Sequence, residues 1–187
     1  MSLDQPPDLP LACREAFRRH PAGVAVVTAD DGSGPVAMTV SSLISVSASP
    51  PTVALSLSDW SGATAKVLKA GTMVLHFLRY DDRALGQLAA TRGADRFGPE
   101  IPWERLPSGE PRYTSVATWF RARITGTLPA QGATVAVAEL LDGAALHSHD
   151  PGQDPLVYLD RGWHRLHEAR GDLSLLPVTG DPTDDFR

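Results

Sequence analysis

The sequence has little cysteine: Cys13 is the only one in 187 residues. A disulfide within the chain is therefore impossible, and so is a metal cluster built on cysteines. Positive charge is also scarce, with a net charge of −5. That argues against a nucleic-acid binder, which needs a basic face to neutralise phosphates. No apolar run approaches the roughly 20 residues of a membrane span. The longest, Gly23 to Val27, is strand-sized. The first ten residues lack a basic segment followed by an apolar stretch, so no secretory signal is expected and a cytoplasmic location is. Internal repeats, low-complexity tracts and a P-loop are absent. Gly32-Ser33-Gly34 lacks the third glycine and following helix of a dinucleotide fingerprint.

Hydrophobic residues make up 42% and charged residues 21%, a globular composition of a length that suits one domain. The ends differ from the middle. Residues 1–10 hold three prolines and read as a flexible N-terminal arm. Residues 171–187, ending in Gly180-Asp181-Pro182-Thr183-Asp184-Asp185, read as a flexible acidic tail, which leaves 11–170 as the folded domain.

Between the ends the pattern is mostly β. Asp8 caps a short helix with Pro10 in its first turn, and Leu9, Cys13, Ala16 and Phe17 share one face. Strands are predicted over 22–29, 36–42, 52–57 and 72–78, the first two joined by the turn cluster Asp30 to Pro35. Helices are predicted over 63–69, closed by Gly71, and over 81–91, with Leu85 and Leu88 on the buried face. Residues 93–112 read as a long loop, a feature usually functional or disordered. Strands over 116–127 and 134–141 follow, then a hairpin of 156–159 and 163–166. The predicted class is mainly β with short helices, in a closed or nearly closed barrel.

Two clusters could carry chemistry. Met38-Thr39-Val40-Ser41-Ser42 continues to Ser45 and Ser47, placing five hydroxyls within nine residues at a strand end. Such groups can bind a phosphate or a flavin edge without buried charge, or they can form a solvated strand edge. Ser56, Ser58, Asp59, Ser61 and Thr64 precede the second helix, where they can act as caps or hold an anion. His76 lies in an apolar strand and reads as a satisfied core residue. His147 and His149, followed by Asp150, could form a metal pair, but two histidines without a third ligand are more often a solvated strand end, and His164 and His167 read as solvent-facing. No metal site and no catalytic side chain is assigned. Trp60 lies beside the second cluster and is a candidate for ligand contact.

Phe17-Arg18-Arg19-His20-Pro21-Ala22-Gly23-Val24 resembles the opening of the flavin reductase-like family. Met38-Thr39-Val40-Ser41-Ser42, Ser45-Val46-Ser47 and Pro50-Pro51 are similar to its signature in order and spacing. Ser61 and Thr64, Arg96-Phe97, and the stretches Pro155–Tyr158 and Gly162–Leu166 also resemble it. The likeness covers about Ala12 to Leu166. It implies an FMN-binding split β-barrel, with FAD as an alternative flavin and NAD(P)H as co-substrate. It also implies a homodimer with the flavin near the subunit interface, and reduced flavin supplied to a partner monooxygenase. By position, Met38, Thr39, Val40, Ser41 and Ser42 line the flavin ring, Ser58 and Asp59 lie beside it, Ser61 and Thr64 hold the phosphate, and Phe97 covers the cofactor.

One departure bears on the reaction. Many NAD(P)H-dependent members carry Gly-Asp-His at a turn where this chain has Gln131-Gly132-Ala133. That difference keeps two alternatives open: a split-barrel flavin protein acting directly on a small organic substrate, and a flavin-binding protein without turnover.

Overall fold

The computed structural model describes residues 8–145 and 154–166. Most of the expected N-terminal arm, the histidines 147, 149 and 167, and the acidic tail lie outside the described residues.

The chain opens with helix α1 (Leu9–Arg18), where Asp8 Oδ1 accepts the Leu11 N–H at 3.2 Å. A short strand β1 (Ala22–Gly23) leads into β2 (Ala25–Asp30) and β3 (Pro35–Val40). Asp30 Oδ1 holds their turn by accepting from Gly32 N and Gly34 N, and both glycines have positive φ. β4 (Ile44–Ala48) and β5 (Pro51–Ser58) precede helix α2 (Thr64–Ala70), which ends on Gly71 at φ 70°. Strand β6 (Thr72–Phe77) is followed by a 3₁₀ turn (Tyr80–Asp82) and helix α3 (Arg83–Ala90). The region expected to be a structureless loop contains a hairpin, β7 (Trp103–Arg105) and β8 (Pro111–Tyr113). The long hairpin β9 (Trp119–Ala130) and β10 (Ala133–Ala144) comes next, then β11 (Leu156–Leu159) and β12 (Gly162–Arg165).

Seven strands form one antiparallel sheet in the order β3-β2-β6-β9-β10-β5-β4. Its edge strands, β3 and β4, are consecutive in the chain, so the segment Ser41–Leu43 joins one edge to the other. Ser42 Oγ donates to Ser56 O and accepts from Ser56 N, each at 3.0 Å. That pair clasps the β3–β4 link against β5 and curls the sheet into a barrel left open along one side.

Residues alternate faces along each strand, so one face of the sheet makes each core. The inner core holds Ala25, Val27, Met38, Val40, Leu55, Leu57, Met73, Leu75 and Ala136, plugged by Val67 of α2. The outer core holds Val26, Ala37, Leu78, Ala89, Tyr113 and Leu156, covered by α3 and the β7–β8 hairpin. His76 belongs to this outer layer and is fully buried, hydrogen-bonded to Val26 O and Tyr113 N. The expectation of a satisfied core histidine holds. The apolar face expected on α1 exists but is not covered by the described residues: Leu9 and Phe17 are each 71% exposed. Among the described residues, no helix is long and apolar enough to cross a membrane.

Candidate functional site

The two hydroxyl clusters meet across the end of β3. A cavity of about 780 Å³ is lined by Pro35 to Thr39 of β3, by Ser58 and Trp60 to Ala63 of the β5–α2 loop, by Lys66 of α2, and by Ala89, Ala90 and Arg92 to Phe97 around the end of α3. This volume lies within the range of small-molecule sites. Five expected site residues, Met38, Thr39, Ser58, Ser61 and Phe97, share this cavity, as does Trp60. Ser41 and Ser42 line a second cavity of about 710 Å³, between α1, the β3–β4 link and the β11–β12 turn. Val40 is 5% exposed and packs in the inner core. Asp59 and Thr64 line neither cavity.

Hydrogen bonding separates the hydroxyls that are committed from those that are free. Thr39 Oγ1 donates to Gly86 O at 2.6 Å, which ties β3 to α3. Thr64 Oγ1 donates to Ser58 O at 2.6 Å, which folds the β5–α2 loop. With Ser42 spent on the barrel clasp, three of the expected donors are structural. Ser58 Oγ and Ser61 Oγ differ from these. They accept from Trp60 N and Ala63 N, each at 3.3 Å, so both keep their own O–H proton to donate. The backbone supplies what the Thr39 side chain does not. As an edge strand, β3 pairs only with β2, and alternate N–H and C=O groups along its outer side face away from the ladder.

Sequence reasoning missed the cations. Lys66 and Arg92 reach the cavity from α2 and from the end of α3. Neither makes an ion pair or hydrogen bond to another described residue. Lys66 was visible two residues beyond Thr64. Arg92 was not, because it is distant in sequence and enters only when α3 packs on β3. A third cation, Arg96, is occupied: Nε donates to Ala89 O at 3.1 Å and Nη2 to Thr91 O at 2.6 Å. It satisfies carbonyls that the end of α3 leaves open. Its own carbonyl accepts from Tyr113 Oη at 2.9 Å. Arg96 thereby sets the adjoining Phe97, whose ring stacks on Tyr113 at 5.5 Å and meets Trp103 edge-on at 5.1 Å.

The arrangement can hold a planar apolar ring between the β3 edge and Phe97, and a phosphate between the two serine hydroxyls, Lys66 and Arg92. These residues fit a flavin mononucleotide in chemistry: apolar wall, backbone donors, then paired hydroxyls and two cations, Lys66 and Arg92, that form no ion pair among the described residues, with Asp95 also in the lining. The turn Gln131–Gly132 abuts the same loop. Asp59 N donates to Gly132 O at 3.1 Å, and Ala133 pairs with Ser58 across the β5–β10 ladder. Among the described residues, no cluster of histidine, cysteine and carboxylate side chains could hold a metal.

Comparison with known proteins bears on the same geometry. Residues 17–167 match the family described as flavin reductase like domain. An NADH:FMN oxidoreductase from Rhodococcus qingshengii is 33% identical over 152 residues, 81% of this chain and 79% of that protein. The reductase component of 4-hydroxyphenylacetate 3-monooxygenase from Thermus thermophilus is 30% identical, covering 83% of this chain and 95% of its own. The crystal structure of a flavin reductase domain protein from Arthrobacter sp. FB24 superposes with a TM-score of 0.79 at 26% identity. That match covers 88% of this chain and 99% of that one.

Proposed function

Because the chain belongs to the flavin reductase-like family, we propose that it is an NADH:FMN oxidoreductase that supplies reduced flavin to a partner monooxygenase. The observation that carries this reading is the cavity beside the β3 edge. There two free serine hydroxyls and two unpaired cations face one space next to an apolar wall. Met38, Thr39 and Phe97 bind the ring, and Ser58, Ser61, Lys66 and Arg92 bind the phosphate. Val40, Ser42 and Thr64 contribute by fixing strand and loop.

When bound, FMN supplies the hydride acceptor and the nicotinamide supplies the donor, so the protein needs no acid or base for that transfer. The protein's contribution is placement. The β3 edge and Phe97 orient the ring, while the open side of the barrel admits the nicotinamide. The Gln131-Gly132-Ala133 turn beside Ser58 carries no ionisable side chain. Nicotinamide is therefore held mainly by stacking.

We assign a homodimer as the working form, in the cytoplasm. The supporting surfaces are apolar and not covered by the described residues: Leu9 and Phe17 on α1, Ile44 and Val46 on β4, and Leu128 on the β9–β10 hairpin. Light scattering should report twice the chain mass, and a monomer with flavin present contradicts the assignment.

The site itself is tested by flavin titration. Lys66→Ala and Arg92→Ala should each weaken FMN roughly tenfold, the worth of one hydrogen bond to a charged group. Riboflavin, which lacks the phosphate, should bind both variants as it binds the unmodified protein. Equal weakening of FMN and riboflavin would place the phosphate elsewhere.

A further inference from the structure

Trp60 is 93% exposed, more than any other large hydrophobic residue described, yet it lines the cavity with Ser58, Ser61, Lys66 and Arg92. Its backbone is fixed, the N–H donating to Ser58 Oγ at 3.3 Å. The ring has no stacking or cation–π partner among the described residues. The other three tryptophans all have one: Trp103 meets Phe97, Trp119 lies under Arg112, and Trp163 meets Tyr158. The sequence thus holds one indole in an ordered turn, beside unpaired positive charge, with an open face.

We propose that Trp60 is a specificity-determining residue for the flavin, its indole stacking the adenine of FAD, so that the chain takes the dinucleotide as well as FMN. The proposal rests on the phosphate seat described above. FMN ends at its single phosphate. FAD continues through a second phosphate and a ribose to a purine, and that extension must leave the phosphate seat toward the cavity mouth. Two cations without partners among the described residues, Lys66 and Arg92, suit two phosphates. An exposed indole one residue from Ser61 suits a planar base, since base–aromatic stacking needs only a free π face.

The test is titration of riboflavin, FMN and FAD into the intact protein, Trp60→Ala and Trp60→Phe, with particle size measured for each. Trp60→Ala should weaken FAD about tenfold, within the range lost when a base-stacking aromatic is removed, and change FMN by no more than about twofold. Trp60→Phe should recover most of the FAD affinity. Equal loss for FMN and FAD would overturn the proposal, because the indole would then serve the shared part of the flavin. Unchanged FAD affinity would also overturn it. So would a raised KM for NADH with both flavins unaffected, or a change in particle size, which would assign the indole to an interface. If the unmodified protein binds neither flavin, the site reading itself fails, a result distinct from all of these.

Discussion

His76 shows how burial sets a titration. Its ring sits between Val26 O and the Tyr113 N–H, 3.1 and 2.9 Å away, an arrangement that suits one proton on Nδ1 and a lone pair on Nε2. Burial pushes its pKa down from 6.5 to about 4, outweighing the hydrogen bond to Val26. Between those values the unfolded chain binds a proton that the fold refuses. The stability contribution is therefore complete above about pH 6.5 and is lost as pH falls toward about 4, by roughly 3 kcal/mol. Thermal melts across that window should show the decline, and His76→Asn should flatten it; a flat profile in the unmodified protein would sink this account. The core role of His76 was readable from its apolar neighbours. Its partner Tyr113 was not, lying 37 residues away. Arg96 teaches a similar lesson. The sequence marked it beside Phe97, but only packing reveals a guanidinium that closes the end of α3. Arg96→Lys cannot reproduce that fork. It should cost about 1–2 kcal/mol in denaturant melts and weaken FMN by releasing Phe97.

Helix α3 illustrates what periodicity misses. Leu85 and Leu88 were expected on its buried face, and both are half-buried. The residues in closest contact are the small ones, Gly86 and Ala89. A Cβ on Gly86 would stand 2.9 Å from Leu78 Cδ1 and 3.3 Å from Trp163 Cζ3. The Gly86 carbonyl also receives the Thr39 hydroxyl. Small residues let the helix lie close enough to fix β3, a reason invisible in a hydrophobic pattern. Gly86→Ala should therefore destabilise by about 1–3 kcal/mol through overpacking, although alanine is the better helix former. A stabilised variant in thermal melts would show that the helix has slack. The β7–β8 hairpin was missed for a related reason. Its strands are three residues each, and what holds them is remote: Thr28 donates to Pro111 O, and Arg121 Nε reaches buried Glu110 at 2.8 Å.

Strand and helix positions along the chain were largely readable, because alternation and turn residues agree along most of it. The clasp that draws the two sheet edges together was not. The resemblance places Ser42 at the flavin ring, and in the structure its hydroxyl joins the two ends of the sheet through Ser56. The hydroxyl-rich run thus divides between two cavities, and the cavity beside the β3 edge holds the hydroxyls of Ser58 and Ser61 with Lys66 and Arg92. The same topology brings the β9–β10 turn against Asp59, so the residue at 133 can influence nicotinamide use. Gly132 has φ 81° and resists a side chain, which makes Ala133→His the cleaner substitution. It should raise kcat/KM for NADH by a factor of roughly five to ten, the worth of one positioning hydrogen bond. The most direct measurement is anaerobic mixing of the unmodified protein with FMN and NADH, followed at the flavin absorption band. The band should bleach with turnover kinetics as the flavin is reduced. A protein that binds FMN yet leaves the band unchanged with NADH and with NADPH would contradict its assignment as a flavin reductase.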